Sequence, residues 1–434
     1  MPTVGGMFKR ILILGSGMLL GIGLSVAAWR VAVAWQLFPS RELSRSSGYV
    51  REVMQLVNES YVDPKTAAYD QLAKNAIHGL VEALDPHSEF LEAKDNQEFE
   101  EDLSGEFGGV GIEVETRHGR AMVIAPLEGA PGARAGILRG DVIASINGQR
   151  VENNATMDRI VGQLRGKPKT KVAIGVFRPS TQKEFDVTLV REVIRIESVR
   201  GVRVLDGGVG YIQLTEFSEH TAEQFGRALD HLLREGIGSL VLDLRNNPGG
   251  LLDAAVEVVE PFFKKGELIV STQGRKPSDR EELRAETVGQ PLTLTVAILI
   301  NAGSASAAEV VTGALKDTGR AIVVGERSFG KGSVQSIFKL KNGEGLRLTT
   351  ARYYTPSGVS IHEKGIAPHV EVVATSEEDD NLSHQRARPD LIDPREFREY
   401  FGFNPVEDRQ LTAALDVLKG VRLLGERATR PASE

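Results

Sequence analysis

The 434-residue chain contains no cysteine. Without thiols it has no disulfide framework, no thiolate metal ligand, no cysteine nucleophile and no residue for lipoprotein acylation. Its eight histidines, at 78, 87, 118, 220, 231, 362, 369 and 384, form no HExxH or other close ligand pairing. Metal catalysis therefore has little support, and no cofactor or metal is implied. Positive charge is short as well. Residues 1–40 carry Lys9, Arg10 and Arg30 and no acid, which leaves 49 basic against 59 acidic residues in the remainder. That balance gives no footprint for nucleic acid.

A nucleotide site is disfavoured too. "GERSFGKGSVQ" (325–335) offers Gly325, Gly330 and Lys331 in phosphate-loop spacing, but Gly332 stands where the magnesium-binding hydroxyl belongs, and Ser333 comes one place late. Lys331 needs another role.

What the sequence does contain begins with one long apolar run. Lys9 and Arg10 precede an uncharged stretch from Ile11 to Ala28, the layout of an export signal. Small-x-small sites at Ser25–Ala27 and Ala32–Ala34 fit cleavage, so residues 1–34 are expected to be a signal peptide, with a retained membrane anchor as the alternative. The remaining length suits two or three folded units.

Residues 41–100 read as amphipathic helices, with Val50, Val53, Met54, Val57 and Tyr61 on one stripe that packs on the body or pairs between subunits. From 105 to 190 the texture changes to short β runs punctuated by glycine, with Asn147-Gly148 as a hairpin turn and one helix over 155–164. From 191 to 372 strands alternate with helices, among them 221–234 with Phe225, Leu229, Leu232 and Leu233 on one side, which predicts an α/β core with largely parallel strands. Polar residues 271–290 read as an exposed loop or strand pair. The charged stretch after Val373 reads as a linker, and helices near 394–400 and 407–424 close the expected 373–434 segment.

Chemistry gathers at strand ends. "LTVAILI" turns through Asn301-Ala-Gly303 into "SASAAE", which puts Ser304 or Ser306 at a helix N-terminus at the sheet edge, where free amides can hold an oxyanion. Taken alone, Ser306 and Glu309 also read as a capping box. A neutral lysine can activate a serine in place of histidine, and a glycine-rich turn that buries Lys331 would depress its pKa. In an extended segment Ser333 and Gln335 share a face with Lys331, and the Gln335 amide can hold the amine without adding charge. The Pro248-Gly249-Gly250 turn exposes backbone amides suited to an oxyanion hole, while Asp243 and Arg245 read as a structural pair.

In the β-rich module, "EFGGVGIE" resembles a carboxylate-binding loop beside a peptide-accepting strand, with Gly109, Val110, Gly111 and Ile112 as the binding residues. With "AGIL", "GDVI" and "INGQ" it resembles a PDZ domain. Arg165 is a candidate for the peptide carboxylate or for the module's neighbours.

In this order the motifs closely resemble the carboxyl-terminal processing peptidases, or tail-specific proteases, over residues 45–370. The resemblance implies an α/β ClpP/crotonase-like protease core, an inserted PDZ-like domain and helical terminal segments. It implies an ATP-independent serine endopeptidase in the periplasm, possessing a Ser-Lys dyad of Ser306 and Lys331 assisted by Gln335, with Ala307 and Gly250 as oxyanion amides. The implied partners are protein substrates with accessible C-termini, other copies of the chain and a tetratricopeptide lipoprotein adaptor, the last in turnover of cell-wall hydrolases. The rivals are a catalytically silent PDZ scaffold and a crotonase-type acyl transferase.

Overall fold

The structure is a computed structural model that describes residues 40–117, 119–152, 155–388 and 391–429. The expected signal lies outside the described residues, among which no helix is long and apolar enough to cross a membrane. Packing divides the chain into two units, Met1–Asp85 and Pro86–Glu434.

The first unit holds α1 (Arg41–Ser60), capped by the Ser40 side chain, and α2 (Tyr69–Glu82). Asn58 Nδ2 donates to Ala67 O at 2.8 Å. No residue of α1 is buried, and Val50, Val53 and Tyr61 of its expected packing stripe are exposed. The expected helical segment 41–100 needs correction. From Pro86 onward the chain belongs to the second unit, and β1 (Glu89–Leu91) pairs antiparallel with residues 345–347 before α3 (Ala93–Ser104) begins.

The β-rich module follows. Strands β3 (Ile112–Arg117), β4 (Arg120–Pro126), β5 (Val142–Ile146), β7 (Lys171–Arg178) and β8 (Lys183–Val190) form one antiparallel sheet, and β6 (Gln149–Arg150) pairs with β5. Val123, Ile143, Ile146 and Ile174 are buried under α4 (Met157–Leu164), which contributes Ile160 and Leu164. Asn147 and Gly148 both take positive φ, as a two-residue hairpin requires. Strand β2 (Glu106–Gly109) pairs outside this sheet with β9 (Glu192–Arg195).

The core sheet has the order β10 (Val199–Leu205), β11 (Val209–Leu214), β12 (Ser239–Asp243), β15 (Thr295–Ile300), β16 (Ala321–Gly325) and β19 (Val370–Glu371). Every neighbouring pair is parallel except β10–β11. Helices α5 (Thr221–Arg234), α6 (Leu252–Val259) and α7 (Ala307–Asp317) bury one face against Leu240, Leu242, Val296 and Ile298, with Phe225, Leu229 and Leu232 inside as the stripe predicts. A second, antiparallel sheet runs β1, β18 (Gly345–Tyr354), β13 (Leu268–Gly274), β14 (Arg280–Arg284), and β17 (Ser333–Lys339) also pairs with β18. Residues 271–290 thus form the strand-pair alternative.

The expected linker after Val373 is instead a helix, α8 (Ser376–Ala387). Thr375 and Glu378 form a reciprocal capping box, and Leu382 is buried. After α9 (Pro394–Phe401), helix α10 (Arg409–Thr429) covers the sheet's other face, burying Ala414 and Leu418 on Tyr211, Val241 and Leu299.

The expected Asp243–Arg245 pair is present and larger than foreseen. Fully buried Arg245 donates to Asp243 Oδ2 at 2.6 Å and to Asp408 Oδ1, just before α10, at 2.7 Å, while the Tyr211 hydroxyl donates to Asp243 at 2.7 Å. Burial alone would push the Asp243 carboxyl up; the Arg245 guanidinium holds it down at about 2. Arg245→Met leaves that charge without its partner and is expected to cost about 3–5 kcal/mol at neutral pH, measured by urea unfolding. A depressed carboxyl stabilises only above its unfolded pKa, so the difference from wild type should shrink as pH falls below the ordinary 3.8 towards about 2.

Candidate active site

The site forms where two neighbouring parallel strands end. After β12 the chain runs through Asn246-Asn247-Pro248-Gly249-Gly250, and after β15 through Asn301 to Ser306. The two turns are joined side by side. Asn246 N donates to Asn301 Oδ1 at 2.9 Å, Asn301 Nδ2 to Asn246 Oδ1 at 2.8 Å, and Ala305 N to Asn247 O at 2.9 Å. Asn246 and Asn247 were not singled out from sequence, although a tandem pair before Pro-Gly-Gly is a turn signal.

The alternatives Ser304 and Ser306 separate at once. Ser304 is fully buried, accepts from Asn301 N at 3.0 Å and donates to Leu244 O at 2.8 Å, so its hydroxyl holds the turn. Ser306 sits at the N-cap of α7 with φ 53° and ψ −115°. A non-glycine residue there is strained by roughly 1–3 kcal/mol, which persists only where the surroundings fix it. Near it lies the phenol of buried Tyr353, whose pKa burial pushes up to about 12.

Gly249, at φ 103°, lies against this turn: a Cβ there would fall 2.7 Å from Ser306 Cβ and 2.9 Å from Ala307 N. Its own amide donates to Asn247 Oδ1 at 2.9 Å. The amides of Gly250 and Ala307, by contrast, donate to no group among the described residues. Two free donors therefore flank the serine turn, as a developing oxyanion requires.

Glu309 ties this turn to the Lys331 loop. Its carboxylate is fully buried in α7 and accepts from Ser306 N at 2.9 Å, Ser328 Oγ at 2.5 Å, Gly330 N at 2.8 Å and Lys331 N at 2.9 Å. Burial raises its pKa against the pull of those four donors. Sequence reasoning saw only the local capping half of this arrangement.

Lys331 is half-buried, and desolvation, with the nearby Arg347 cation, holds its amine below the ordinary lysine value. The amine forms no ion pair among the described residues. It also makes no hydrogen bond there to Ser306 or Gln335. The Gln335 amide donates instead to Ser333 Oγ at 3.1 Å and Thr349 Oγ1 at 3.0 Å, and its Oε1, the atom expected to hold the lysine, faces Thr349 Oγ1 of β18 at 3.3 Å.

In the β-rich module Gly109 ends β2, Val110 and Gly111 form the turn, and Ile112 opens β3. The amides of Val110 and Gly111 have no acceptor among the described residues. Arg165 caps α4 and lies 4.2 Å over the Phe107 ring, which itself covers Gly109.

Residues 208–372 match the sequence model of peptidase family S41, and residues 108–189 match that of the PDZ domain. The chain is 36% identical over 430 residues to a carboxy-terminal-processing protease of Bartonella bacilliformis, covering 95% of this chain and 96% of that protein. It is 39% identical over 324 residues to a probable CtpA-like serine protease of Staphylococcus aureus, covering 74% of this chain but 64% of that protein. Among solved structures, the photosystem II D1 C-terminal processing protease is 28% identical with a TM-score of 0.43, covering 74% of this chain and 92% of that one.

Glu309→Ala strands three amides and a hydroxyl and is expected to cost about 3 kcal/mol or more in urea unfolding. Glu309→Gln keeps one acceptor oxygen and should cost less. Hydrogen exchange should quicken at Ser306, Gly330 and Lys331 together.

Proposed function

The chain belongs to peptidase family S41, as a carboxy-terminal-processing serine protease with a PDZ domain, and from that premise we propose that it cuts with a Ser-Lys dyad of Ser306 and Lys331. The observation that carries the reading is the state of Lys331: half-buried, with a depressed pKa, free of carboxylate partners, and on a loop bound through Glu309 to the serine turn. A silent scaffold has no use for such an amine.

Ser306 Oγ attacks the scissile carbonyl and passes its proton to neutral Lys331 Nζ. The amides of Gly250 and Ala307 hold the oxyanion. The lysine then protonates the leaving amine, and the acyl-enzyme is hydrolysed by water that the lysine deprotonates in turn. In the arrangement described, Gln335 bonds Ser333 and Thr349, and no hydrogen bond joins Ser306 to Lys331 among the described residues, so engagement of the dyad requires the serine and lysine side chains to turn towards each other. This is a resting state.

The PDZ domain would hold the substrate's C-terminal carboxylate on the free amides of Val110 and Gly111, flanked by Gly109 and Ile112, with Arg165 nearby as an attracting charge. The basic start and apolar run support export to the periplasm, where exported proteins, cell-wall hydrolases among them, would be the substrates. The exposed apolar stripe of α1 supports assembly with other copies or with a tetratricopeptide adaptor.

Ser306→Ala and Lys331→Ala are each expected to lower cleavage of an unfolded protein by about 10³-fold or more, followed by mass spectrometry. Because the base must be neutral, kcat/KM should rise with pH along a limb below the ordinary lysine pKa of 10.5. A profile flat from pH 6 to 10, or an active Lys331→Ala, would remove Lys331 as the base.

A further inference from the structure

Strand β17 begins two residues after Lys331, and among the described residues β18 is its sole partner. Among the described residues no backbone group pairs with its other edge. Proteins ordinarily shield such an edge with charge, proline or a covering element, because a second chain can pair with it. In "SVQSIFK" the single charge is Lys339 at the far end, there is no proline, and Phe338 is 47% exposed.

A groove of about 520 Å³ runs beside this strand. Ile337 of β17, Leu103 of α3 and Leu251 supply its apolar lining, and Gln97, Glu100 and Lys339 are among its polar residues. Leu251 directly follows Gly250, so one end of the groove adjoins a free amide beside the serine turn. At the rim Lys339 Nζ meets Glu100 Oε1 at 2.8 Å, with both side chains well exposed. A bridge of that kind contributes little to stability and opens readily.

We infer that this groove is the seat of the polypeptide being cut: an extended segment adds as a strand to the free edge of β17, with an apolar side chain against Leu103, Leu251 and Ile337. Main-chain pairing gives affinity without sequence preference, and the apolar wall selects at alternate positions. The occupant is thus an unfolded, apolar stretch of protein, whose scissile carbonyl the groove directs towards Gly250. The inference rests on the serine-protease reading of Ser306.

The test uses the full chain and β-casein as an unfolded substrate, alongside a fluorophosphonate that labels an active serine without occupying the groove. Ile337→Glu places a charge on the apolar wall and is expected to lower kcat/KM for casein about tenfold or more, mainly through KM, with the labelling rate of Ser306 within about twofold of wild type. Because the chain has no cysteine of its own, Glu100→Cys with Lys339→Cys can be bridged selectively by a short bismaleimide. Bridging should lower casein cleavage about tenfold or more relative to the same double variant before bridging, with the Ser306 labelling rate within about twofold between the two. Unchanged casein kinetics in both Ile337→Glu and the bridged protein would overturn the groove assignment. Failure of the unmodified protein to label at Ser306 would instead overturn the reading beneath it.

Discussion

One buried carboxylate organises the catalytic half of this molecule. Glu309 sits one turn into α7 and binds the backbone of Ser306 behind it and of Gly330 and Lys331 across the site, with the Ser328 hydroxyl as its fourth donor. Removing a carboxylate from water is costly unless its lone pairs are satisfied, and here four donors satisfy them. It acts on main chain and leaves both functional side chains alone. A carboxylate paired with the Lys331 amine would have raised the lysine's pKa; one paired with the loop's amides fixes its position while burial keeps the amine easy to deprotonate.

The residues proposed to carry chemistry were more legible than the contacts that arrange them. Ser306, Lys331 and the Gly249-Gly250 turn stand out as candidates because they lie at strand ends and a helix start, although Ser306 with Glu309 also reads as a capping box. Glu309 was visible only as the partner of a capping box three residues away, since its other partners lie at 328–331 and no local pattern connects the two stretches. Gln335 shows the reverse failure. Strand alternation put it on one face with Ser333, to which it bonds, but its other acceptor, Thr349, belongs to a strand whose pairing periodicity alone does not reveal.

The fold was read unevenly for the same reason. Helices and parallel strands between 199 and 325 announce themselves by periodicity, and α5 matches its expected bounds of 221–234. The antiparallel sheet did not emerge, because its strands come from 89–91, 268–284 and 333–354 and are united only by tertiary pairing. The stretch after Val373 looked like a linker because its charges show almost no apolar side. A capping box and the single buried Leu382 nevertheless make it α8.

The turn containing Gly249 touches the turn containing Ser306 only because β12 and β15 lie side by side, although about fifty residues of chain separate them. Lys331 arrives still later, over the end of β16. No nascent portion of the chain that stops short of residue 331 holds both Ser306 and Lys331, the pair proposed to react. On the proposed reading, a chain still being made therefore cannot cut, because nucleophile and base meet only in the finished fold.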